Sequence, residues 1–188
     1  MATWVETMLG NFEPFLAYWR ELRGNDLLPS REAFHPARVK DFVGRIAIVE
    51  RHDPADFKSR LVGTEIVTRL GHEHTGEDFL NLMETPEGRH ENLALFNAVL
   101  DQPCGVWAER DMLTDRGVYH AQILILPIRD KASNAGEFFT VFDFDRTLLA
   151  LSGVEFERFG PLRQETMIDL GAGIPEEFSD LPRHTLDA

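Results

Sequence analysis

The stretch "FKSRLVGTEIVTRLGHEHTGEDFLNL", residues 57–82, combines short apolar runs with turn residues. Its first part, "FKSRLVG", is typical of a short β-strand. In the part that follows, Thr64 can cap a short helix and Gly71 can end it. Short helices that wrap over a sheet require tight turns, and glycines supply the positive φ angles for such turns. Three glycines stand at suitable positions: Gly63, Gly71 and Gly76. The stretch therefore predicts a strand followed by short helices that are separated by turns.

The segments on either side complete this pattern. "GRIAIVER" (44–51) reads as a strand that forms a hairpin with 57–63. Thr85 and Pro86 mark the start of a longer helix. Three more strands are predicted after it, at 106–113, 118–128 and 137–145. The order of two strands, several helices and three strands predicts an α+β domain with a five-stranded antiparallel sheet.

The two ends of the chain differ from this central part. Apolar residues recur at helical spacing over residues 3–23, with interruptions at Gly10 and Pro14 and a natural stop at Gly24. From Leu151 onward the apolar pattern loses its period. We therefore expect three regions: an N-terminal helical extension (1–24), a central domain (25–146) and a C-terminal tail (147–188). We expect the tail to be mobile except where Phe156, Phe159 and Leu162 dock.

Composition limits the classes of partner. Hydrophobic residues make up 43% of the 188 residues, which predicts a folded core. The formal net charge of −13 argues against binding to nucleic acid or to an anionic membrane surface. A single cysteine excludes an internal disulfide. The N-terminal sequence does not read as a signal peptide, and no apolar run is long enough to span a membrane. A cytoplasmic protein is expected.

The strand and helix order, read with residues 57–82, resembles a PAS domain. The resemblance is carried by "RLVGT", Gly71, "TG" at 75–76 and the apolar "DFLNL". The chain also resembles a stand-alone bacterial (alphaproteobacterial-type) PAS subfamily that opens with "W...RG...LP.R..F.P". The matching residues here are Trp19, Arg23, Gly24, Leu28, Pro29, Arg31, Phe34 and Pro36. The resemblance covers about residues 15–146.

This resemblance implies a sheet with strand order 2-1-5-4-3, helices on one face and a central fifth strand. It implies a sensory or protein-interaction module rather than an enzyme. The sequence has no recognisable output domain, so we expect signalling through a partner protein or through rearrangement of a homodimer. The cavity between helices and sheet is a common place for a small ligand, whose identity the sequence does not give.

Six residues are predicted to line a ligand site, although each has a simpler interpretation. Trp107 fits core or interface packing equally well, and Arg60 could instead form an ion pair with Glu109 or Asp111. His120 and Gln122 share one face of their strand and either anchor a ligand or face outward. The full set is Arg60, Phe79, Phe96, Trp107, His120 and Gln122.

The remaining histidine, cysteine and aspartate candidates are interpreted as ordinary structural or solvent-exposed residues. His72 and His74 would point the same way in an extended segment, but no further histidine or cysteine stands near them. We therefore interpret them as part of a solvated loop and predict no bound metal. Cys104 has no local base to activate it. Asp143 and Asp145 fit a solvated strand exit.

Two alternatives stay open at this point. The first is a small α+β enzyme with a catalytic cavity between sheet and helices, in which His120 would act with Asp111; no nucleophile motif supports it. The second concerns the nine large apolar residues between Trp4 and Leu22. They predict a homodimer held by the N-terminal helix. The competing arrangement folds this helix over its own sheet and leaves a monomer.

Overall fold

The computed structural model describes residues 9–130, 136–144 and 153–186. They form a seven-stranded sheet in the order β2-β1-β5-β4-β3-β6-β7, in which β6 and β7 run parallel and the other neighbours run antiparallel. The strands are β1 (Ile46–Asp53), β2 (Asp56–Val62), β3 (Cys104–Thr114), β4 (Gly117–Arg129), β5 (Gly136–Phe144), β6 (Phe156–Asp169) and β7 (Arg183–Thr185).

The first five strands have the predicted order, and β5 lies in the centre between β1 and β4. The prediction of a five-stranded, wholly antiparallel sheet is wrong, because the segment expected to be a tail adds β6 and β7 beside β3. Alternation along β6 is broken by register shifts near Gly160 and by the positive φ of 50° at Gln164. These irregularities hide a strand from a search for period-two patterns.

Three α-helices are described: α1 (Glu13–Arg23), α2 (Thr64–Leu70) and α3 (Pro86–Asp101). Two of the predicted end signals are observed, whereas Thr64 is the first residue of α2 and does not cap it: Gly63 holds the N-cap position without a side-chain hydrogen bond. The Thr85 hydroxyl accepts a hydrogen bond from the Gly88 amide at 3.0 Å, which caps α3. Gly71 ends α2 with a φ of 71°. Short 3-10 helices lie at Gly10–Phe12, Arg31–Ala33, Pro36–Val39, Val43–Arg45, Phe79–Leu82 and Glu176–Phe178.

One face of the sheet is covered by α2, the 3-10 helix Phe79–Leu82 and α3, which we call the helical cover. The cover buries its apolar side chains against inward residues of the sheet, and together they form one hydrophobic core. The predicted placement of helices between the second and third strands on one face is therefore observed.

The opposite face is covered by α1. Phe15 and Trp19 are fully buried there, and Trp19 Nε1 donates a hydrogen bond to the Pro127 carbonyl oxygen at 3.1 Å. The described part of the N-terminal segment thus folds over the sheet of its own chain, which is the arrangement that competed with the dimer hypothesis. Trp4 and Val5, which also entered that hypothesis, lie outside the described residues. No helix in the described ranges is long and apolar enough to cross a membrane.

Candidate functional site

A cluster of aromatic rings lies between the helical cover and the sheet. Phe96 lies with its ring centroid 4.8 Å from that of Phe138, 5.5 Å from Phe57 and 5.8 Å from Phe79. All four side chains are buried. Phe79 and Phe96, predicted to line a ligand cavity, therefore pack against other side chains in the core.

A buried arginine lies in the same interior. Arg110 on β3 is 2% exposed and donates hydrogen bonds to Asn92 Oδ1 at 2.6 Å and to the Gly160 carbonyl oxygen at 3.1 Å. Its guanidinium also lies 3.4 Å from Met83 Sδ and over the ring of Phe159. Burial lowers the pKa of Arg110 to about 9. Arg110 therefore ties the helical cover to β3 and β6 through neutral hydrogen-bond partners.

Sequence reasoning did not select Arg110, although a signal was available. Along β3, Val106, Ala108 and Met112 alternate toward the helical cover and are fully buried. Arg110 stands in phase with them. A charged residue at a strand position whose neighbours on the same face are buried is expected to be buried too. Such a buried charge needs hydrogen-bond partners.

A groove of about 610 Å³ opens between α3, β6 and the segment 177–181, beside the part of β6 that pairs with Arg110. We call it the α3–β6 groove. Its walls combine apolar side chains with the carboxylates of Glu91, Glu165, Glu177 and Asp180. Burial raises the pKa of Glu165, and the positive charge of Arg110 opposes that shift. The apolar lining residues are Ala94, Leu95, Pro161, Leu162, Phe178 and Leu181.

Trp107, His120 and Gln122 lie on the opposite face of the sheet. Trp107 is buried in the core that α1 covers, away from Phe79 and Phe96. His120 and Gln122 line a shallow pocket of about 290 Å³ together with Glu109. The structure therefore separates the six predicted ligand residues, and the pairs Phe79–Phe96 and His120–Gln122 do not share a site.

The contact between His120 and Asp111 that the enzyme alternative requires is present. His120 Nδ1 lies 2.9 Å from Asp111 Oδ1, and Arg163 contacts the other carboxylate oxygen at 2.6 Å. Asp111 is buried, while the His120 side chain is 54% exposed. The described residues that line this pocket include no serine, cysteine, threonine or lysine that could act as a nucleophile. The contact with Asp111 orients the His120 ring, and the carboxylates of Glu109 and Asp143 also line this pocket.

Arg60 has different partners from those considered for it. It contacts Glu50 Oε2 at 2.9 Å and Glu137 Oε1 at 3.4 Å, so the proposed pairing with Glu109 or Asp111 is wrong. The simpler interpretation, a cross-strand ion pair, is confirmed. The Arg60 side chain is 41% exposed.

Three further sequence features have defined surroundings. Burial raises the pKa of Cys104 to about 12, so its thiol stays protonated at neutral pH. Asp143 contacts Arg45 and Asn11, each at 2.8 Å, whereas Asp145 lies outside the described residues. Among the residues that the structure describes, His72, His74 and Glu77 bring possible metal-ligand atoms within 4.8 Å of one another.

Comparison with known proteins agrees with this architecture. A protein-family model described as a PAS domain matches residues 11–142. The chain therefore belongs to the PAS-domain family, whose members generally act as sensory modules.

Two solved structures show a distant likeness. One is a light–oxygen–voltage domain studied with a flavin analogue, with 16% identity, a TM-score of 0.36 and coverage of 53% of this chain and 76% of that chain. The other is the light-state structure of the blue-light photoreceptor Aureochrome1 LOV, with 13% identity, a TM-score of 0.37 and coverage of 61% and 94%. No curated protein matches.

Proposed function

We propose that this protein is a non-enzymatic sensory PAS module that binds a small molecule in the α3–β6 groove. The observation that carries the proposal is Arg110, a buried charge beside this groove that is hydrogen-bonded to Asn92 on α3 and to Gly160 on β6. Because Arg110 connects two walls of the groove, α3 and β6, its hydrogen bonds would respond when a ligand changes the separation of these walls. Small-molecule sites commonly combine apolar walls with a few polar groups, as this groove does.

The walls of the groove indicate the chemical class of the ligand. Apolar side chains such as Leu95 and Leu162 would contact a hydrophobic body. The surrounding carboxylates, which include Glu165 and Glu177, favour a cationic group and disfavour an anion. A molecule with an apolar body and an ammonium or guanidinium group fits both features.

Binding would reach the rest of the module through the hydrogen bonds of Arg110. A ligand that separates α3 from β6 stretches the connection between Asn92 and Gly160, and the helical cover then changes its packing on the sheet. If the cover has two packing arrangements on the sheet, the ligand favours the arrangement that it binds more tightly. The size of the shift is set by the difference between its affinities for the two arrangements. A partner protein or a second copy of this chain would bind the changed surface of the helical cover.

A homodimer remains part of the proposal, but α1 does not offer an apolar surface for its interface. Phe15, Leu16 and Trp19 are fully buried within the chain. Within the described ranges, exposed large apolar residues such as Val43, Leu61 and Val118 offer other surfaces for an interface. Membership of the bacterial stand-alone subfamily, a cytoplasmic location and the three-region division of the chain also remain predictions.

The enzyme alternative is kept because the contact between His120 and Asp111 orients an exposed imidazole. Native mass spectrometry of freshly purified full-length protein separates the two functions. A sensor is expected to carry a bound molecule whose mass is unchanged after prolonged incubation. Conversion of that molecule, abolished by His120→Ala, would support the enzyme and contradict the sensor. The same spectrum reports whether the protein is a dimer.

A further inference from the structure

The loop between α2 and the 3-10 helix Phe79–Leu82 brings three metal-ligating side chains together. His72 Nε2 lies 3.0 Å from Glu77 Oε1, and His74 Nδ1 lies 3.1 Å from Glu77 Oε2. The two imidazole rings meet edge to face with centroids 4.7 Å apart. All three donor atoms lie within 4.8 Å of one another.

We propose that His72, His74 and Glu77 form a binding site for one divalent transition-metal ion, with zinc as the best match to the donors. Two imidazole nitrogens and one carboxylate are the ligands of many zinc sites that keep an open position for water. Ligands at about 2.0–2.2 Å from a zinc ion stand roughly 3–3.5 Å from each other. The two contacts of Glu77, one from each carboxylate oxygen, have lengths close to that separation.

The loop is anchored so that the ligands are held before any ion binds. The Gly76 amide donates to the Ser59 carbonyl oxygen at 2.6 Å, and the Ser59 amide donates to the Glu77 carbonyl oxygen at 2.9 Å. Both contacts fix the loop to β2. His74 is only 8% exposed, which fixes its ring, while the His72 and Glu77 side chains are more than half exposed and leave a path for the ion.

The sequence favoured a solvated loop because no third histidine or cysteine stands near the pair. The structure supplies a carboxylate instead, from Glu77 three residues after His74. Because this acidic chain has many Asp and Glu residues, sequence spacing alone could not identify Glu77 as a third metal ligand. The inference is independent of the α3–β6 groove, since none of the three residues lines it.

Competition for Zn²⁺ against the chromogenic chelator 4-(2-pyridylazo)resorcinol tests the site, with tag-free full-length protein first stripped by EDTA. Wild-type protein is expected to take one zinc per chain. His72→Ala and Glu77→Gln change exposed side chains and are expected to weaken zinc binding at least about tenfold. His35→Ala, an exposed histidine outside the cluster, serves as the matched control and should bind as wild type does.

Cobalt(II) provides a second readout, because its visible absorption reports ligand number and type. Wild-type protein should give a cobalt spectrum that both variants lose and that acid pH weakens, since metal binding displaces protons. Wild-type protein that fails to compete with the chelator would overturn the proposal. So would full zinc affinity in both variants, because the ion would then bind elsewhere.

Discussion

Glu50 on β1 and Glu137 on β5 stand directly opposite each other in the central sheet, and Arg60 contacts both carboxylates. Arg31 adds a second positive charge, with its Nε 3.1 Å from Glu137 Oε2. Glu137 is fully buried, and burial raises its pKa to about 7 despite the two arginines. A buried carboxylate that is protonated near neutral pH makes the stability of the fold depend on pH.

The first prediction is the sign of that dependence. Because Glu137 has a higher pKa in the folded state than its ordinary value of 4.5, the folded state binds its proton more tightly. Its contribution to stability is present at about pH 4.5 and is lost as pH rises toward 7. Glu137→Gln removes this contribution, so the stability of the variant relative to wild type should increase over that window, by roughly 3 kcal/mol at most.

Urea unfolding at a series of pH values measures this difference directly. Glu176→Gln changes an exposed carboxylate and is the matched control, expected to follow the wild-type profile. A difference between Glu137→Gln and wild type that stays constant from pH 4.5 to 7 would show that Glu137 keeps an ordinary pKa.

The second prediction concerns the hydrogen bonds of Arg110. Arg110→Met leaves Asn92 Oδ1 and the Gly160 carbonyl oxygen without their buried donor, which should lower the free energy of unfolding by about 1–3 kcal/mol. The double variant Arg110→Met with Asn92→Leu removes one of these unpaired groups. It should recover part of the loss, and chemical denaturation of the four proteins in this double-mutant cycle measures the coupling. Additive losses would contradict the role of Arg110 as a connection between α3 and β3.

The third prediction tests the aromatic core. Phe96→Ala removes a ring that contacts Phe57, Phe79 and Phe138, and should lower the free energy of unfolding by about 3–5 kcal/mol. Val141→Ala in the central strand should cost less. Val118 is 53% exposed, so Val118→Ala should have little effect and serves as the control. An unchanged melting temperature for Phe96→Ala would contradict the packing of α3 on the sheet.

The sequence predicted the parts of the fold whose signals are local. Caps such as Thr85 and stops such as Gly71 act on neighbouring residues, so α3 begins and α2 ends where expected. The strand order of β1 to β5 follows from the PAS resemblance. β6 was missed because bulges around Gly160 and Gln164 interrupt its alternation.

The candidate site was harder to predict, because it depends on β6 and on long-range pairing. Without β6 there is no α3–β6 groove, so Glu165 and Leu162 could not be selected as its walls. Strand alternation correctly grouped His120 with Gln122, but it could not say which face of the sheet meets the helical cover. Trp107 and Phe96 were therefore assigned to one site although they lie on opposite faces.

The proposed function places the ligand of a sensory module in the α3–β6 groove. Native mass spectrometry of freshly purified wild-type protein and of Ala94→Trp tests it most directly, because an indole at this exposed position of α3 fills the groove. Ala55→Trp, in an exposed turn, is the matched control. We predict that wild type and Ala55→Trp carry the same small molecule and that Ala94→Trp does not. Equal occupancy in Ala94→Trp, or no bound molecule in wild type, would show that the α3–β6 groove is not a ligand site.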